Sequence, residues 1–141
     1  MTESRIEILD HTADLAVRIR ARDDRELFTL GAQSVYRLIG EAVPSEAGPK
    51  PYRIGLQANG EEELFHDWLA EVLYWFQVRE IAFESLTFET LSPTALKVTV
   101  LGRKIDVEKS EFRTEIKAVT YHGLAIERSS EGVTATVIFD V

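Results

Sequence analysis

Leu15, Val17 and Ile19 alternate with Ala16 and Arg18, the period of a strand with one face buried and Arg18 and Arg20 turned to solvent. A shorter apolar strand, Ile6 to Leu9, precedes it. Asp23 and Asp24 then supply an N-cap, and Leu27, Leu30, Gly31, Ser34, Val35, Leu38 and Ile39 recur at spacings of three and four. This predicts a helix from Asp24 to Ile39, ended by Gly40. The stretch from Pro44 to Pro51 cannot continue a helix or join a central strand and predicts a loop.

Tyr52, Ile54, Leu56 and Ala58 alternate again, and Asn59-Gly60 turns the chain into Phe65, Trp68, Leu69, Val72, Leu73 and Phe76. The second run predicts a helix from Glu61 to Val78, its stripe widened by Leu64 and Trp75, all assigned to packing. Strands are predicted over Ile81 to Thr90, Ala95 to Leu101, near Arg103 to Val107, Ile116 to Arg128, and Val133 to Val141, with Glu131-Gly132 as the last hairpin turn. The alternation changes phase between Phe83 and Leu86, which signals either a bulge or two strands. With no βαβ alternation and no repeat, the expected fold class is α+β: one layered domain over 1–141, two amphipathic helices on mainly antiparallel sheet.

Composition narrows the chemistry. The 141 residues include no Cys, which removes disulfides, thiol nucleophiles and thiolate metal sites. The net charge of −8 repels polyphosphate, so direct binding of RNA or DNA is not expected. Glu61 to Thr90 holds eight acidic residues and one base, Arg79, either a solvated face or a docking surface for a basic partner. No uncharged apolar run reaches the roughly 18 residues of a membrane span. Met1 to Asp10 has no secretion-signal pattern, and a cytoplasmic protein is expected.

Nucleophile-elbow, phosphate-loop and dinucleotide motifs are missing. His11, His66 and His122 fall in a predicted loop, helix and strand, with nothing in their spacing to join them. Asp10-His11-Thr12-Ala13-Asp14 places hydrogen-bonding residues between the first two strands and reads alone as a turn held by its own Asp and Thr oxygens. At the other end Val133, Ala135, Val137, Phe139 and Val141 alternate, so Asp140 and the α-carboxylate of Val141 lie one residue apart. Neighbouring anions disfavour each other's ionisation unless a cation is supplied. Were Asp14 to join them, three carboxylates would form an all-oxygen nest for Ca²⁺, Mg²⁺ or Mn²⁺; the alternative is a salt bridge to Lys117 or Arg18. Lys117 sits amid apolar and β-branched residues in the segment from Glu115 to His122, a position that by itself reads as a strand Lys pointing to water.

The chain resembles the archease family. The resemblance rests on His11-Thr12-Ala13-Asp14, on Asp67-Trp68-Leu69 with Glu71 and Leu73-Tyr74, on Ile116 through His122, and on the terminal Phe139-Asp140-Val141. It covers the whole chain, with Ala16 where the family commonly has Gly and Ser110 where many members carry a His. It implies a non-catalytic protein cofactor of an RtcB-type RNA ligase, promoting GTP-dependent guanylylation and multiple turnover in tRNA splicing or RNA repair. It also implies metal binding, Ca²⁺ above all, at Asp14, Asp140 and Val141, ligase activation through Lys117 and Asp14, and support from the loop residues His11 and Thr12. The competing expectations are a metal-dependent phosphohydrolase on the same carboxylates and a general chaperone-like adaptor for RNA-processing enzymes.

Overall fold

The computed structural model describes residues 4–9 and 14–141. In chain order the elements are β1 (Arg5–Leu9), β2 (Asp14–Ala21), α1 (Asp24–Ile39), β3 (Gly40–Glu41), β4 (Lys50–Gln57), α2 (Glu61–Gln77), β5 (Ile81–Leu91), β6 (Ala95–Lys104), β7 (Glu111–Phe112), β8 (Ala118–Val119), β9 (Ala125–Ser129) and β10 (Gly132–Asp140).

Helix α1 starts and stops for the reasons its sequence predicts. The Asp23 carboxylate accepts the Glu26 N–H at 2.9 Å, and Gly40, at φ +141°, donates its own N–H to the Tyr36 carbonyl. A Cβ on Gly40 would lie 2.2 Å from the Glu111 carbonyl oxygen, because Gly40 goes straight on to pair with Phe112 in the small β3·β7 sheet. That two-residue pairing is too short to leave a periodic trace in the sequence.

Two larger antiparallel sheets flank the helices. One runs β1-β2-β10-β8, with β9 also on β10; the other runs β4-β6-β5. Both helices touch both sheets, so the helix layer lies between them. Val17, Ile19, Val137 and Phe139 from the first sheet and Leu96, Val98 and Val100 from the second join one core around Phe65, Trp68 and Leu69. Trp68 is fully buried, and its indole N–H donates to the Phe28 carbonyl at 2.8 Å. The α+β expectation therefore holds.

The phase change in β5 is a bulge: one strand continues through register shifts at Phe83/Ser85 and at Phe88/Thr90. Of the two pieces predicted after Ala95, the first continues as β6 through Lys104, while Ile105 to Val107 lie beyond it, with Ile105 in an isolated bridge to Pro44. The Pro-rich loop ends earlier than expected, with Lys50 and Pro51 already in β4. The long strand predicted from Ile116 to Arg128 is absent. Only Ala118–Val119 pairs with β10 before the chain turns through Gly123, at φ +68°, into β9, so His122 lies in an exposed turn. Apolar and β-branched content mimics a strand here, but a left-handed glycine interrupts it.

Candidate functional site

Strand β10 pairs with β2 from Val133↔Ala21 to Asp140↔Asp14. Residues directly opposite in an antiparallel ladder project on the same face. Leu15, Val17, Ile19 and Ala21 share the helix-facing side with Phe139, Val137, Ala135 and Val133, which leaves Asp14 and Asp140 together at one end of the outer face. On the other side of β10, Ala118 is opposite Asp140, and the Lys117 N–H donates to the Asp140 carbonyl at 2.7 Å. Asp14, Asp140 and Ala118 thus form one row across three neighbouring segments, and Lys117 adjoins it through its main-chain N–H. Asp140 and Lys117 are exposed, whereas Asp14 and Val141 are partly buried and Val141 packs on the core. The loop residues His11 and Thr12 lie outside the described residues.

The donor chemistry of this row is all oxygen: two carboxylate side chains and the main chain at Val141, of the kind that suits a hard divalent cation. Among the described residues no three His, Asp or Glu side chains cluster as a metal site, so a cation here would draw on main-chain oxygen as well as on Asp14 and Asp140. Arg18, the alternative cation for these carboxylates, lies with Arg20 beside Glu7, at 4.0 and 3.2 Å.

Helix α2 holds the Lys117 segment from behind. Gln77 donates its amide N–H to the Ile116 carbonyl at 2.7 Å, and Nε2 of His66 lies 2.9 Å from the Val119 carbonyl. Nδ1 of His66 is 3.0 Å from Asp67 Oδ1, and the imidazole stacks on Tyr121 with centroids 3.8 Å apart and planes 12° from parallel. Desolvation, followed by the Asp67 and Glu63 carboxylates, raises the Tyr121 phenol above its ordinary value. Both the backbone N–H and the hydroxyl of Thr120 donate to the Ile138 carbonyl at 3.0 Å. Sequence reasoning assigned no role to His66. The signal available was His66 next to Asp67 on a helix face, but its partner, the Val119 carbonyl, lies 53 residues away in the chain.

A cavity of about 570 Å³ opens elsewhere, between Ile39, Phe76, Ile105, Phe112 and Arg113, and does not include the acidic row. Ser110 ties neighbouring loops together: its hydroxyl donates to the Asp106 carbonyl at 2.7 Å and accepts the Val43 N–H at 2.8 Å. Ala16 is buried between Leu9 and Ile138 on the same face as Asp14.

The chain is thus an α+β protein with two helices layered between antiparallel sheets and an acidic pair closing one sheet end. The model of the Archease protein family matches residues 6–141, and the chain belongs to that family. Its sequence is 33% identical to protein archease of Methanosarcina barkeri over 96% of this chain and 94% of that protein. It is 32% identical to protein archease of Saccharolobus islandicus, over 96% and 97%. The fold is similar to the solution structure of Methanobacterium thermoautotrophicum protein 1598, with a TM-score of 0.72, 26% identity, and 96% and 98% of the two chains covered. It is also similar to the crystal structure of an archease, described as a possible chaperone, from Thermotoga maritima, with a TM-score of 0.68, 27% identity and both chains fully covered.

Proposed function

We propose that this protein is a non-catalytic cofactor of an RtcB-type RNA ligase, promoting GTP-dependent guanylylation and repeated turnover in tRNA splicing or RNA repair in the cytoplasm. The observation that supports it is the row in which Asp14 and Asp140 are paired and the Lys117 N–H meets the Asp140 carbonyl. Asp14, Asp140 and the Val141 carboxylate would hold a divalent cation, Ca²⁺ in preference to Mg²⁺ or Mn²⁺, which when bound supplies positive charge for phosphate or carboxylate oxygens of the ligase site. The chain's own part is to present that anionic end on a rigid sheet, with Lys117 beside it. Its net charge of −8 favours approach to a basic protein surface over contact with RNA.

Multiple-turnover ligation by the ligase with GTP and Mn²⁺, with and without this protein, tests the reading. Stimulation by the wild type that folded Asp14→Ala and Asp140→Ala variants lose is expected. Equal stimulation by both variants overturns a role for the row, and none by the wild type overturns the cofactor reading. Calorimetric titration with Ca²⁺ checks the cation separately, with the heat of binding expected to vanish in Asp140→Ala.

A further inference from the structure

Lys117 lies between two carbonyl groups that α2 grips from the same side. Ile116 accepts from Gln77 and Val119 faces His66, while Lys117 itself stays exposed. From this bracket we infer that His66 is a positioning residue: it fixes the segment that carries Lys117 to α2 and thereby sets the Lys117 main chain against Asp140. The inference rests on the proposed role of Lys117 and the acidic row.

The chemistry is specific. A carbonyl oxygen only accepts, so the His66 Nε2 facing Val119 at 2.9 Å carries a proton and donates it. Asp67 Oδ1 lies 3.0 Å from Nδ1, and Tyr121 covers one face of the ring. The side chain is only 15% exposed, which shields these contacts from competing water. The strand it holds has little ladder of its own. β8 contributes two residues, paired Val119↔Phe139 and Ala118↔Asp140, so a displacement of Val119 passes directly to the pair at the acidic end. Among the described residues no other side chain donates to the Val119 carbonyl, whereas the Thr120 bonds hold only the far side of the strand.

Amide hydrogen exchange on the full chain without any partner is the first readout, at Lys117 and Thr120, whose N–H groups donate to the Asp140 and Ile138 carbonyls. His66→Phe keeps a flat ring against Tyr121 and removes both ring nitrogens. His66→Gln restores an amide N–H as many bonds from Cβ as Nε2. Exchange at Lys117 and Thr120 is expected to rise about tenfold in His66→Phe and to return most of the way in His66→Gln, with the amides of α1 unchanged in both. Unaltered exchange at Lys117 in His66→Phe, or no recovery in His66→Gln, overturns the bracket. Ligase stimulation is the second readout and is expected to follow the same order, wild type and His66→Gln above His66→Phe. Full stimulation by His66→Phe overturns the positioning role. A wild type that stimulates no ligase sinks the proposed function, and with it the purpose assigned to His66, while the exchange result still decides whether the bracket exists.

Discussion

Replacing Tyr36 by Phe deletes one oxygen atom and no carbon, so its cost is a hydrogen-bond cost without a cavity. The Tyr36 hydroxyl accepts the Phe83 N–H at 2.9 Å, at the point where β5 shifts register against β6. Phe83 is buried where the ladder is irregular, so the Tyr36→Phe variant takes the side-chain acceptor away from a buried N–H. Leaving such a group unsatisfied costs about 1–3 kcal/mol. With an unfolding entropy of about 2.1 cal/mol/K per residue, a chain of this length loses about 3 °C in Tm per kcal/mol, so the expected drop is about 3–10 °C. Thermal unfolding followed by circular dichroism measures it, with the exposed Tyr74→Phe as a control expected to be silent. The pH dependence supplies a second check. Burial raises the Tyr36 phenol above its ordinary 10.0, so the stability tied to its neutral form is complete below that pH and is lost as pH rises beyond it. The advantage of the wild type over Tyr36→Phe therefore narrows above pH 10.0. A Tm change under about 1 °C, or an advantage that widens in alkali, would refute the reasoning.

Other substitutions follow from the same structure. In Gly31→Ala the new Cβ would lie 3.0 Å from Leu69 Cδ2 and from Phe65 Cε1, and overpacking of about 1–3 kcal/mol outweighs the helix-propensity gain of up to about 1 kcal/mol, lowering the urea midpoint. Gly132→Ala sets a Cβ 2.2 Å from the Ala21 carbonyl oxygen at a φ of +144°, and a loss of about 3 kcal/mol or more is expected in the same assay. Glu26 is lowered to about 2 by hydrogen bonds from Arg22 and then Ser4. Its folded value lies below its ordinary one, so its stabilisation is present above pH 4.5 and disappears as pH falls toward 2. Because Arg22 is exposed, this contribution is held to about 1 kcal/mol, and acid titration of Glu26→Gln should show a correspondingly shallower loss.

Elements whose signals are local were legible in the sequence. Helix α1 runs between an Asp cap and a glycine stop, and both act within a few residues of the helix end. The β5 phase change was visible because a bulge moves every later side chain to the opposite face. The segment after Ile116 misled for the converse reason: its residues favour strand, but its partners are a helix side chain and two residues of β10, which periodicity does not report. For the site, Asp140 and Asp14 were each nameable, yet their pairing depended on a register between opposite ends of the chain. The resemblance supplied what spacing did not.

That register also governs how the chain reaches its fold. Strand β2 can meet β1 early, since the two are neighbours in sequence, but its other edge waits for β10, more than a hundred residues downstream. Until then Val17 and Ile19 belong to a strand with one open edge, a template for pairing with a second, equally unfinished chain. The strand that brings Asp140 to Asp14 is thus also the one that removes this hazard, and refolding at rising protein concentration should lose yield through that late step.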